Sequence, residues 1–308
     1  MALTGAQAAA PPRPVHRRRG RAGAMLPARV VGAPLVLFVL YPLAHILGRS
    51  FSTPAGPGLA NYALMLGSER FLRITFNSFA VTLLSAGIAI LLAYSFAYAV
   101  QRSTLLGRNI FRMIAVLPLF APSLVQAQGL VLMFGRNGLI NRSLGLDIQI
   151  YGYWGIVVAM VLYVFPYAFL ILSAALAVAD ARLYESAEML GASKARAFRT
   201  VTLPATRYGL AAAIFVCFTL VITDFGNPMV IGGDYTVLAS EVYNQVIGQA
   251  NFERGTVIGM VLLIPAAIAA LVEKRVSAKQ YALISEHSRP LVPQGDRARD
   301  LVLAVVVL

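Results

Sequence analysis

The stretch ESAEMLGASKARAFRTVTLP, residues 185–204, decides how the rest of the chain is read. It is a polar interval between two long apolar segments, and its fixed points are Glu185, Ser186, Ala187, Gly191, Val201, Leu203 and Pro204. The spacing predicts a helix, a sharp turn and a second helix. Asp180 is placed to cap the first helix, because its carboxylate can accept from the orphan N–H groups of a first turn. Gly191 permits the turn, since glycine takes positive φ at little cost. Ser193 is placed to cap the second helix, and Pro204 sits where that helix is expected to stop or kink. Small residues at Ser186, Ala187 and Ala192 leave little bulk on the loop, so another protein's surface can approach closely.

Outward from this loop the chain is apolar. Of its 308 residues 58% are hydrophobic and 13% charged, whereas soluble domains are about half apolar and roughly a quarter charged. Six apolar runs lie near 30–48, 74–100, 110–134, 154–179, 208–231 and 255–272. Each is close to the ~20 residues that cross hydrocarbon as a helix. The expected fold is therefore an all-α integral membrane protein of six spans, with residues 30–272 as the membrane domain and 74–272 as its core.

The charges orient it. The net charge is +13. With the N-terminus inside, all of the 26 Lys and Arg residues but Arg49, Arg70, Arg73, Arg136, Arg142 and Arg254 fall on the inner side. This asymmetry predicts N-in, C-in, with residues 185–204 in the cytoplasm. It also argues against nucleic acid as a partner, since the positive charge follows the topology. Residues 1–29, with Arg13, Arg17, Arg18, Arg19, Arg21 and Arg29, read as a cytoplasmic tail rather than a nucleic-acid or lipid-binding arm. A cleavable leader is disfavoured by the long apolar run that follows and its lack of a small-x-small site.

The outer loops 49–73 and 135–153 carry turn formers, and 232–254 is expected to hold a short re-entrant or surface helix around 240–248. Tyr151, Tyr153 and Trp154 cluster at an expected outer interface, where amphipathic rings are favoured. Residues 273–300 form a polar connector. The final LVLAVVVL, 301–308, cannot span a bilayer at about 1.5 Å per residue and reads as the start of a seventh span cut short.

No phosphate-binding Gly-x4-Gly-Lys, HExxH or Gly-x-Ser-x-Gly pattern is present, and no nucleophile, base and orienter can be assembled. The chain reads as a translocating subunit, not an enzyme. His16, His45, His287 and the single Cys217 have no ligand spacing, so neither metal nor cofactor is expected. Asp224 is the carboxylate within an expected span, in Thr223-Asp224-Phe225-Gly226-Asn227-Pro228. Two readings stay open. An ionisable group at that depth is a functional-site candidate, with Gly226 and Pro228 breaking a helix that lines a cavity. Alternatively the span ends there and Asp224 caps it. Asn227, Gln126 and Gln128 could face the same path; hydrogen bonding between helices is the other role for the glutamines. Pro118, Pro122, Pro166 and Pro265 read as kinks, and Phe96, Tyr98, Tyr163 and Phe165 as packing.

With its spacing of Glu185-Ser186-Ala187, Gly191, then Val201-Thr202-Leu203-Pro204, the loop resembles that of type I binding-protein-dependent ABC importer permeases. Their signature is Glu-Ala-Ala, three residues, Gly, nine residues, Ile-x-Leu-Pro. Ser186 and Val201 depart conservatively, and every spacing is kept. The resemblance covers roughly residues 74–272. It implies that Glu185, Ser186, Ala187, Gly191, Leu203 and Pro204 form a coupling helix docking on a cytoplasmic ATPase dimer. A periplasmic binding protein would deliver substrate, and a second permease half, fused or as a homodimer, would complete the path across the lipid bilayer. Residues 224–265 look like permeases of the 2-aminoethylphosphonate and ferric-iron group, many of them fused chains. That points first to 2-aminoethylphosphonate, then ferric iron, with polyamine or thiamine further back. The competing class, an ion-coupled secondary transporter, should show several intramembrane ionisable groups or paired broken helices; only Asp224 qualifies in the sequence.

Overall fold

The structure, a computed structural model, describes residue 34 and residues 36–53, 56–104 and 107–283. The tail 1–29, the end of the connector and the segment 301–308 lie outside the described residues. The chain divides into two units, 1–48 and 49–308. Helix α1 (Val36–Ser50) is apolar and opens with a π turn. Among the described residues it is shorter than a membrane crossing.

The second unit begins with a two-residue antiparallel hairpin, Ser52–Thr53 against Gly56–Pro57. The helices then follow in order. α2 is Ala60–Leu66 and α3 is Glu69–Arg102. α4 is Arg108–Phe120, its last turn a 3-10 turn, and α5 is Ser123–Phe134. α6 is Leu139–Leu144, α7 is Tyr153–Ala177 and α8 is Ala181–Met189. α9 is Lys194–Thr223, α10 is Gly226–Ile231 and α11 is Leu238–Tyr243. α12 is Phe252–Leu283.

Four of these, α3, α7, α9 and α12, are long and apolar enough to cross a membrane. The expected third span is not one rod: its two parts are bent by 105° at residues 121–122. Proline is the reason. Pro122 excludes helical backbone from the residue before it, and Ala121 is extended at φ −100°, ψ 126°. The expected fifth span, 208–231, is also divided. α9 ends at Thr223, Asp224 is extended, and Gly226–Ile231 is a separate short helix. By contrast α7 and α12 pass through Pro166 and Pro265 without a break.

The core is built around α7, packed between α3 and α9. Ala89, Ala93 and Ala97 are buried on one stripe of α3 and let its backbone approach α7 closely. Ile156, Met160, Val164, Phe169 and Leu172 fill the α7 side, and Ala213, Cys217 and Val221 the α9 side. Phe96 meets Phe165 and Phe169 edge-on at 5.8 and 5.5 Å, so these aromatics do pack. The segment after α10 holds a short helix where one was expected: α11 continues as a π turn over Asn244–Gly248. It is pinned to α3 by Leu238 N–H donating to Ser78 at 2.7 Å and by Arg70 paired with the buried Glu241 at 3.2 Å.

Candidate functional site

The 185–204 loop folds as its residues suggest. Asp180 caps α8 by accepting from Arg182 N–H at 3.1 Å. At the other end, Gly191 N–H donates to the Glu188 carbonyl and Ala192 N–H to the Ala187 carbonyl, both at 2.9 Å. This pair of bonds is a Schellman motif, and it requires the left-handed conformation that Gly191 adopts at φ +69°. Ser193 caps α9, accepting from Arg196 N–H at 3.3 Å. Ala187 and Ala192, expected on the approachable surface, are half-buried at the motif's two ends.

Pro204 brings neither stop nor break. α9 runs on through it, and residues 198–202 widen into a π turn closed by Leu203 N–H on the Phe198 carbonyl. The wider turn suits proline, whose ring would press on the carbonyl four residues back in a regular helix. Glu185 and Ser186 are exposed on α8, and Leu203 and Pro204 are exposed on α9 just past the π turn. At the apex Met189 and Leu190 are 89% and 85% exposed. The capped turn thus holds two neighbouring large apolar side chains out of the fold. The spacing pattern did not include them.

A buried polar cluster under the loop also escaped the sequence reading. Arg102, counted there as an inner-loop base, is 5% exposed. It donates to the Tyr184 hydroxyl at 3.0 Å and to the Leu176 carbonyl at 3.2 Å. Tyr184 in turn shares a hydrogen bond with Thr202 at 2.9 Å. The available signal was an Arg ending a long apolar helix together with a Tyr one place before Glu185.

The second set of candidates meets at the two helix breaks. Asp224 caps α10: its Oδ2 accepts from Asn227 N–H at 3.0 Å and from Asn227 Nδ2 at 3.1 Å. Ser123, the first residue of α5, also hydrogen-bonds this carboxylate. The breaks press together at Gly226, where a Cβ would lie 2.5 Å from Ser123 Oγ and 2.9 Å from Leu124 N. Gln126, one turn further on, donates to the Pro118 and Ala121 carbonyls at 2.6 and 2.9 Å, bracing the backbone at the bend. Gln126 Oε1 and Asn227 Oδ1 are buried with no partner among the described residues. Gln128 lies apart on the exposed side of α5. No cluster of metal-ligating side chains occurs among the described residues.

Residues 89–277 match the family model described as binding-protein-dependent transport system inner membrane component. A ferric transport system permease protein of Actinobacillus pleuropneumoniae is 26% identical over 265 residues, covering 82% of this chain and 38% of that protein. A thiamine transport system permease protein of Brucella abortus is 30% identical over 218 residues, covering 65% of this chain and 40% of that one. The chain thus spans about two fifths of the length of these relatives. Among solved structures, a bacterial ABC transporter involved in alginate import superposes with a TM-score of 0.68 at 17% identity. The match covers 86% of this chain and 96% of that one. At that identity the likeness is one of fold.

Proposed function

We infer the function from one premise: the chain belongs to the family of binding-protein-dependent transport system inner membrane components. It is a multi-pass membrane protein and not itself an enzyme. On that premise it is the permease subunit of an ATP-driven importer, and α8 with its capped turn is the element that docks a cytoplasmic ATPase dimer. The observation that carries this reading is the loop itself. A Schellman turn fixes α8 against α9 and holds Met189 and Leu190 in solvent beside the Glu185 carboxylate. A periplasmic binding protein would deliver substrate at the opposite end, and a second permease half would close the path.

Ferric iron and 2-aminoethylphosphonate are the two substrates to test. Ferric iron is supported by the name of the Actinobacillus relative, and 2-aminoethylphosphonate by the resemblance of residues 224–265. The path would pass the paired helix breaks, where Asp224, Asn227 and Gln126 gather; irregular backbone at membrane depth is tolerated where it lines a cavity.

The test is a detergent pull-down of the tagged protein from its native membrane, with mass identification of what accompanies it. An ATPase subunit is expected with the wild type and is expected to be lost with Glu185→Lys and Gly191→Pro. A folded, abundant protein with no ATPase in any sample would return the ion-coupled transporter to the front. Uptake of labelled ferric iron and of labelled 2-aminoethylphosphonate then decides between the substrates.

A further inference from the structure

Tyr184 stands one position before Glu185 on α8, yet it is turned toward the membrane helices and half-buried. The Arg102 guanidinium lies over its ring, 4.7 Å from the centroid, and also donates to its hydroxyl. Arg102 is in the last turn of α3, and its second acceptor, the Leu176 carbonyl, is in the last turn of α7. The final carbonyls of a helix lack intrahelical partners and form its negative pole. A buried cation is well placed between two such ends.

From Tyr184 the cluster runs on into α9. Thr202 is 1% exposed and takes the other side of the Tyr184 hydroxyl. One turn later Thr206 donates to the Thr202 carbonyl and shares a hydrogen bond with Tyr94 of α3, both at 3.0 Å. Phe198 sits edge-on to Tyr94 and Tyr98, at 6.1 and 5.5 Å. One phenol therefore joins α8 to the loop-side ends of α3, α7 and α9.

An apolar cluster could hold these ends together as firmly, since burying a charge costs desolvation that hydrophobic packing avoids. Hydrogen bonds of fixed length and direction supply something packing does not, a single allowed orientation of α8. We propose that Tyr184 is a positioning residue that, through Arg102 and Thr202, makes α8 and the loop-side ends of α3, α7 and α9 one rigid body. A displacement imposed on α8 then reaches the membrane helices instead of being absorbed by hinge motion at residues 178–180. The proposal rests on the reading that α8 docks an ATPase. Its chemistry is separate from docking, because Tyr184 faces inward and Glu185, Met189 and Leu190 face out.

The experiment uses the full chain in a Cys217→Ala background, spin-labelled before assembly with its ATPase so that only the added cysteines carry label. Spin labels at Arg182→Cys on α8 and Ser95→Cys on α3 report the distance between the two helices, without nucleotide and with ATP trapped by vanadate. The wild-type distance is expected to be the same in both states. Tyr184→Phe keeps the ring but not the hydroxyl, and Thr202→Val keeps the shape. Thr202→Val loses one such hydrogen bond and Tyr184→Phe two; one shifts an equilibrium by about five- to tenfold, so each variant is expected to show a second distance on trapping, the more so in Tyr184→Phe. Thr202→Val is also expected to accumulate roughly that much less substrate per ATP hydrolysed, and Tyr184→Phe less still, measured with ferric iron or 2-aminoethylphosphonate, whichever the wild type takes up. Both variants should still retain the ATPase in a pull-down, which a merely structural defect would not allow. A wild-type distance that shifts on trapping, or variants indistinguishable from wild type, would overturn the proposal while leaving the importer reading intact. A wild type that binds no ATPase would overturn the importer reading and this proposal with it.

Discussion

Two residues show how much a single position carries. At Gly191 a Cβ would meet nothing within 4 Å, so the glycine is required by its φ of +69° and not by space. Gly191→Ala is expected to cost the turn about 1 kcal/mol, and Gly191→Asn less, because asparagine tolerates the left-handed region better. Limited proteolysis at the Met189–Leu190 apex checks this: cleavage should rise in the order wild type, Asn, Ala. Asp224 separates its two roles by charge. Asparagine can replace aspartate as a cap, whereas alanine forfeits about 1 kcal/mol. Asp224→Asn should therefore keep the wild-type melting temperature and Asp224→Ala should not. If uptake nevertheless falls in Asp224→Asn, the negative charge belongs to the path; if uptake is unchanged, the residue is a cap alone.

Among the elements, the sequence displayed what is local and hid what depends on direction. Asp180, Gly191 and Ser193 each act within a few residues of themselves, so the α8–turn–α9 unit was legible from residue types and spacing. The 105° bend between α4 and α5 was not. Counting apolar residues across 110–134 yields a span's worth, but hydropathy carries no information about which way the chain points. Pro118 and Pro122 marked a kink without its size. The same limit joined α9 to α10 across Asp224, where the cap competes with helix continuation. The bend is held by Gln126, which donates to the Ala121 carbonyl and adds a second bond to the Pro118 carbonyl, already served by Ala121 N–H. Gln126→Leu takes this partner from the Ala121 carbonyl at a cost of about 1–3 kcal/mol. It should appear as a lower melting temperature in detergent, with Gln128→Leu, on the exposed side, as the unaffected control.

For the molecule as a whole, the apolar runs mark a membrane protein, and the charge bias predicts which side is inside. The burial of α7 between α3 and α9 was beyond their reach. Alanine stripes and apolar faces look alike to a hydropathy count whether they meet lipid or another helix. Orientation is directly testable. In the Cys217→Ala background, Ser186→Cys is expected to react with an impermeant maleimide only in inverted vesicles, and Arg142→Cys only in right-side-out ones. Labelling of both from the same side would refute the N-in, C-in arrangement.

The π turn at 198–202 has a further consequence, one of phase. A π turn holds one residue more than an α turn, and each residue of an α-helix advances the azimuth by about 100°. The membrane part of α9 is fixed in rotation by its packing on α3 and α7. The heading with which the loop turn leaves α9 is therefore set by that one inserted residue. Removing one residue within 198–202 would let the turn close toward regular α geometry and leave the capping bonds of Gly191, Ala192 and Ser193 intact. It would also swing α8 around the axis by roughly a quarter-turn or more. The nine-residue interval between Gly191 and Val201 thus acts as a gear ratio: it specifies the compass bearing on which the loop meets whatever drives it.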